Sequence, residues 1–117
     1  MHKDALLTPN EVSMAESVYE LQAKLLKTLA HPDRIRILEY LKQKKQCQCE
    51  MAPALEIEQY NFSRHLSALK AAGVIKTWKD GVRIMFDVTD PAVYSILDDV
   101  KNLLKMRIQT EQALIRR

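Results

Sequence analysis

The stretch Gln59-Tyr60-Asn61-Phe62-Ser63-Arg64-His65-Leu66-Ser67-Ala68-Leu69-Lys70-Ala71-Ala72-Gly73 decides how this sequence folds. Phe62, Leu66 and Leu69 recur at the spacing of one helix face, so about Gln59 to Ala72 reads as a helix. Gly73 is its stop signal, because helices end readily on a residue that tolerates positive φ. The period then changes. Val74 to Trp78 and Arg83 to Val88 are rich in β-branched, aromatic and apolar residues, with Lys79-Asp80-Gly81-Val82 between them. An Asp-Gly pair between two such runs signals a hairpin.

Upstream of the deciding helix, Cys47-Gln48-Cys49-Glu50-Met51-Ala52-Pro53-Ala54-Leu55 reads as a short helix. A proline ring deep in a helix clashes with the carbonyl four residues earlier. The helix is therefore expected to begin near Cys49 or Glu50, with both cysteines at its N-terminus. Further upstream, Pro32 opens a helix with Ile35, Leu38 and Leu41 on one face, closed by the basic run Lys42 to Lys45. His31-Pro32 separates it from a longer helix that Thr8-Pro9-Asn10-Glu11 starts as a capping box. Val12, Ala15, Val18, Tyr19, Leu25, Leu26 and Leu29 carry that helix to about Ala30. Downstream, Asp90-Pro91 caps a long helix to about Ile115, striped by Val93, Leu97, Val100, Leu104 and Ile108.

The predicted fold is mainly α with a β-hairpin wing, in the order α-α-α-α-β-β-α: a winged helix-turn-helix forming one domain over residues 1–117. The outer helices, about 9–30 and 91–116, carry more apolar surface than so small a core absorbs. A symmetric homodimer is the expected place to bury it.

Composition narrows the function classes. The 117 residues suit one domain, and 47% hydrophobic with 28% charged residues is ordinary for a globular protein. Only 2 glycines exclude a P-loop or dinucleotide loop. Lys+Arg 18 against Asp+Glu 15 gives a net charge of +3, which permits nucleic-acid binding without requiring it. No long apolar run suggests a signal peptide or membrane span, so a cytoplasmic protein without a membrane partner is expected. The 2 cysteines are too few for a disulfide framework. No acid pair, triad or hydrolase spacing is visible, and His2, His31 and His65 fall on separate elements. Neither an enzyme nor an organic cofactor is expected.

The run Asn61 to Ile75 resembles the recognition helix of the ArsR/SmtB family of metal-sensing repressors. Leu29-Ala30-His31-Pro32-Asp33-Arg34-Ile35-Arg36-Ile37-Leu38 is similar to that family's second-helix signature. Trp78-Lys79-Asp80-Gly81-Val82-Arg83 stands where the family has a basic wing, and Cys47-Gln48-Cys49-Glu50-Met51 aligns with its Cys-x-Cys-Asp-Leu metal box. The resemblance covers about residues 18–90 and implies a homodimeric repressor that a thiophilic ion releases from DNA. Some positions depart from the pattern. Glu56 stands where the turn usually has glycine, and Glu58 replaces a good N-cap. Ala52 stands where arsenic sensors often have a third cysteine. No histidine follows His65, so the family's last-helix zinc site is absent.

In a helix-turn-helix the N-terminal residues of the recognition helix meet base edges. Gln59, Asn61, Ser63 and Arg64 are the polar candidates, since Gln and Asn pair with adenine and Arg with guanine. Tyr60 is expected on the sugar-phosphate backbone or a thymine methyl. His65 is expected at a phosphate or at an acceptor on the second-helix side. Lys76, Lys79 and Arg83 are the wing's candidates for phosphate contact. A two-fold dimer would space its recognition helices by about 34–36 Å and read an imperfect palindrome in double-stranded DNA. The plainer alternative makes Arg64 and Lys70 a solvated face and His65 a structural side chain.

Cys47 and Cys49 are the metal-ligand candidates. The positive end of a helix dipole favours thiolate, and thiolates bind As(III), Sb(III), Cd(II) and Pb(II). Side chains two residues apart on a helix point about 200° apart, so gripping one ion requires the helix start to unwind or bend. That helix is the first arm of the helix-turn-helix, so ligation would disturb the second. As(III) or Sb(III) is the expected effector, with Cd, Pb or Zn, or a thiol-redox switch, as alternatives. Both cysteines as small buried hydrophobes is the bland alternative. A protein-interaction module that does not read DNA is the alternative of another class.

Overall fold

Pro32 opens one helix, Pro91 precedes another and Gly73 follows a third, so these residues mark three of the boundaries along the chain. In the computed structural model the backbone is described for residues 9–43 and 48–115, and side chains for residues 17–43 and 50–115. Helix α1 (Pro9–Leu29) is followed by α2 (Pro32–Gln43), α3 (Gln48–Ala54), α4 (Gln59–Ala71), strands β1 (Ile75–Asp80) and β2 (Arg83–Val88), and α5 (Ala92–Ile115). The order is the expected one. Thr8 of the capping box and Lys44 and Lys45 lie outside the described residues. Helix α3 begins at Gln48, earlier than Pro53 suggested. In a seven-residue helix that proline removes one intrahelical bond near the end rather than breaking a ladder.

Each junction has an identifiable cap. His31 caps α2, its Nδ1 accepting the Asp33 N–H at 3.1 Å. Asp90 caps α5, its Oδ1 accepting the Ala92 N–H at 2.8 Å. Helix α4 ends in a Schellman turn. The Gly73 N–H bonds to the Lys70 carbonyl, the Val74 N–H to the Leu69 carbonyl, and Gly73 takes φ +77°.

The core joins the helix-turn-helix to the root of the hairpin. Ile37, Leu38, Met51, Phe62, Leu69 and Phe86 are fully buried in it, with the Phe62 and Phe86 rings edge-on at 6.3 Å. The strands pair antiparallel from Ile75↔Val88 to Asp80↔Arg83. That register leaves Gly81-Val82 as a two-residue turn. Only Gly81 has positive φ there (+65°), which makes glycine the first central residue of a type II′ turn.

The outer helices leave this core. In α5 only Val93 and Leu97 are buried, and the stripe continues exposed through Val100, Leu104 and Ile108. On α1, Leu29 is buried and Leu25 packs against the core, while Val18, Tyr19, Leu21 and Leu26 are exposed. Tyr94 fixes α5 to α2 by donating its hydroxyl to the Leu38 carbonyl at 3.0 Å. Burial, with Asp87 and Glu39 nearby, holds that phenol un-ionised, its pKa pushed up to about 12. Among the described residues no helix is long and apolar enough to cross a membrane.

Candidate nucleic-acid interface

Helix α4 turns Phe62, Leu66 and Leu69 into the core, which leaves its other side to solvent. Gln59, Tyr60, Asn61 and Arg64 are exposed along its N-terminal half, and Ser63 is half-buried beside them. The Arg64 guanidinium lies 5.8 Å from the centre of the Tyr60 ring, one turn back on the same face. A contiguous polar and aromatic strip therefore runs along the part of α4 that a major groove would receive. Glu58 does cap this helix: its carboxylate accepts the Tyr60 N–H at 2.7 Å. A glutamate can substitute here because the N-cap needs only an oxygen that reaches the second free amide.

His65 is not part of the exposed strip. It is buried at 9% exposure, on the side of α4 that faces the α1–α2 junction. Its Nδ1 accepts from Arg34 Nε at 3.2 Å, and Arg34 also donates to the Thr28 carbonyl at 3.0 Å. One arginine thus ties the end of α1, the start of α2 and the middle of α4. The His31 and His65 rings lie 4.4 Å apart, inclined at 55°. Burial first, then His31 and the Arg34 guanidinium, push the His65 pKa below its ordinary value, against the opposing pull of Asp33.

His31, Asp33 and His65 bring possible ligand atoms within 4.8 Å of one another. Their hydrogen bonds argue against a cation there. Both imidazoles use Nδ1 as an acceptor, from Asp33 N–H and Arg34 Nε–H. In the neutral ring this puts the proton on Nε2, which for His65 faces Asp33 Oδ2 at 3.9 Å. A metal-bound imidazole instead donates through its second nitrogen. The cluster is a joint between helices.

The wing carries its cations on two faces. Side chains alternate along a strand, and cross-strand partners share a face. The pairs Thr77↔Phe86 and Lys79↔Ile84 therefore put Lys79 on the face turned to α4. Lys76↔Asp87 and Asp80↔Arg83 put Lys76 and Arg83 on the other. Lys79 lines a cleft of about 460 Å³ with Ser63, Ser67, Lys70, Thr77 and Trp78, between α4 and the hairpin. Arg83 instead donates to Glu50 at the start of α3. Ser67 and Thr77 were not singled out from the sequence, and Lys70 only as a solvated side chain. Their signal was the helical spacing from Ser63 and the strand alternation from Lys79.

The turn between α3 and α4 is also a Schellman closure. The Glu56 N–H bonds to the Pro53 carbonyl and the Ile57 N–H to the Ala52 carbonyl, with Glu56 at φ 55°. Glutamate thus takes the left-handed conformation that glycine usually supplies. Arg36 reinforces the turn by donating to the Leu55 carbonyl at 2.7 Å and to Asp33 at 3.0 Å. Arg34 and Arg36 stand in the sequence only as part of a family signature; the partners that tie them to α4 and to the Glu56 turn, His65 and the Leu55 carbonyl, lie 31 and 19 residues away and give no local sign. Cys47 and the side chain of Cys49 lie outside the described residues.

Comparison with known proteins agrees with this architecture. Residues 31–77, which hold the helix-turn-helix and the start of the first strand, match the family model of the bacterial regulatory proteins of the arsR family. The uncharacterised HTH-type transcriptional regulator Rv0081 of Mycobacterium tuberculosis is 31% identical over 102 residues, 86% of this chain and 90% of that one. The chain belongs to the ArsR family. It is a transcriptional regulator with a DNA-binding winged helix-turn-helix, in a family of regulators and not of enzymes. The crystal structure of Rv0081 superposes with a TM-score of 0.72 at 32% identity, covering 82% of this ArsR-family chain and 96% of that one. The HTH-type transcriptional repressor SmtB of M. tuberculosis is 33% identical over 82 residues, 70% of this chain and 61% of its own length. A homodimeric winged helix-turn-helix domain of Mycobacterium bovis, Mb0332, shares the fold with a TM-score of 0.70 at 23% identity, covering 77% of this chain and 83% of that one.

Proposed function

We propose that this ArsR-family protein is a cytoplasmic homodimeric repressor that releases its operator when As(III) or Sb(III) binds Cys47 and Cys49. The observation that carries the reading is the backbone position of Cys49 in the first turn of α3. Helix α3 starts at Gln48, so Cys49 is its second residue, while its far end is joined to α4 by the Glu56 turn, which Arg36 holds to α2. Drawing both thiols onto one ion restrains the first turn of α3. A rigid turn passes that change to α4, and the ion favours whichever state binds DNA poorly. Two thiolates form a soft donor set that suits As(III) and Sb(III), with Cd, Pb or Zn as less favoured occupants.

In this reading Gln59, Asn61, Ser63 and Arg64 meet base edges, and Tyr60 packs against the backbone or a thymine methyl. Lys76, Lys79 and Arg83 meet phosphates. His65 serves DNA binding from behind, by seating α4 through Arg34. The single domain spans residues 1–117, with α1 and α5 as dimerisation helices that pair two recognition helices on an imperfect palindrome. The exposed apolar rows of both helices support this. So do a relative named as a repressor and a fold neighbour that is a homodimer.

The test is a gel shift on the DNA upstream of the protein's own gene, with arsenite, antimonite, cadmium, lead, zinc and peroxide in parallel. Wild type should be released by arsenite or antimonite. The variant Cys47→Ser/Cys49→Ser should bind the same DNA and ignore both ions. Arsenite release of that variant would sink the proposed site, and release of the wild type by peroxide alone would replace the ion with redox chemistry.

A further inference from the structure

Arg83 opens β2 beside the hairpin turn, on the strand face turned away from α4. From there its Nη2 reaches Glu50 Oε1 at 2.5 Å, in the first turn of α3. The two side chains are 48% and 49% exposed, so the pair is held at the surface and water competes for it. Thirty-three residues separate them, and the bond links two parts of the interface: the first arm of the helix-turn-helix and the tip of the wing.

We propose that Glu50 is a positioning residue for the wing: it holds the Arg83 guanidinium against α3, and Arg83 reaches a DNA phosphate only when that pair opens. Carboxylate and phosphate are both acceptors that match the arginine fork, so they compete for the same donors. A half-exposed pair is weak, so it biases Arg83 without locking it. The consequence is a modest tax on affinity with a defined signature. Releasing Arg83 adds about one phosphate contact, which steepens the dependence of log affinity on log salt by about 0.9. The inference rests on the DNA-binding reading above and extends it to a residue next to the cysteine pair.

Phosphate contacts carry no sequence information, so the probe is a fluorescein-labelled mixed-sequence DNA duplex, followed by anisotropy at several salt concentrations. Glu50→Gln should bind more tightly than wild type at low salt. That advantage should shrink about threefold between 50 and 200 mM salt. Arg83→Gln and the double variant should bind alike, because without the guanidinium Glu50 has nothing to withhold. Both positions are half-exposed, so the substitutions leave the core intact. Equal salt slopes for wild type and Glu50→Gln would overturn the proposal. So would a gain that persists in the Arg83→Gln background, since that is a simple loss of negative charge. Wild type that binds no duplex at any salt would overturn the DNA-binding reading instead.

Discussion

Glu56 holds the left-handed conformation at φ 55° in the turn that aims α4, with its side chain exposed. For an L-residue that conformation costs roughly 1–2 kcal/mol, because Cβ crowds the following carbonyl. Glycine removes the crowding, and the greater freedom of the unfolded chain takes back about 0.4–1 kcal/mol. Glu56→Gly should therefore stabilise the protein by roughly 0.5–1 kcal/mol. Urea unfolding at fixed protein concentration reads this as a higher midpoint. Glu56→Gln keeps Cβ and removes only the charge, so it should leave the midpoint near that of wild type. A lower midpoint for the glycine variant would mean that the turn draws support from Glu56 that the backbone strain conceals.

At the scale of elements, the outcome hangs on how helices are seated, and here the sequence was unevenly readable. Helix α4 and the hairpin were legible because their signals are local: Phe62, Leu66 and Leu69 at helical spacing, then glycine at 73 and 81, where the backbone takes positive φ. The faces of the wing cations were not. They depend on the strand register, and Asp-Gly did not say that Gly81-Val82 would be the turn. For His65 the sequence pointed to the second-helix side or a structural role, but not to the Arg34 donor, 31 residues away, whose hydrogen bond it accepts. That joint predicts a pH dependence. The folded His65 pKa lies below 6.5, so in acid the unfolded chain binds the extra proton more readily. Protonation also puts a hydrogen on Nδ1, against the Arg34 donor, with His31 and Arg64 adding repulsion and Asp33 the only attraction among the groups that shift it. The contribution of His65 is present above pH 6.5 and is lost as pH falls from there through the folded pKa. Urea midpoints should fall from pH 8 to pH 5.5 in wild type and fall less in His65→Gln. Parallel slopes for the two proteins would remove His65 as the source.

For the whole molecule, the numbers describe a chain that does not close on itself. The radius of gyration is 18.7 Å, whereas a compact domain of 100 residues has about 13 Å. The accessible surface is 8991 Å². A compact monomer of 13.5 kDa would expose roughly 6,500 Å². The difference, roughly 2,500 Å², is of the order that stable homodimers cover. The exposed rows on α1 and α5 show where cover is needed. Val93 and Leu97 seat the start of α5 in the core, and Lys42–Asp98 and Lys101–Glu39 hold its flank to α2. Beyond that point Leu104 and Ile108 continue the same stripe, 52% exposed each, outside the core that the described residues form. In the proposed homodimer a second copy of α5 covers that stripe, because a two-fold interface pairs a patch with itself. Leu104→Glu/Ile108→Glu places four carboxylates in that seam per dimer, where burial without partners is costly. Sedimentation should shift from dimer to monomer while circular dichroism still reports the α2–α4 helices. Operator affinity should fall by roughly 100-fold or more, because each half-site then binds without the effective concentration its twin supplies. A variant that stays dimeric with those charges in place would take α5 out of the interface and leave α1 to carry the pairing alone.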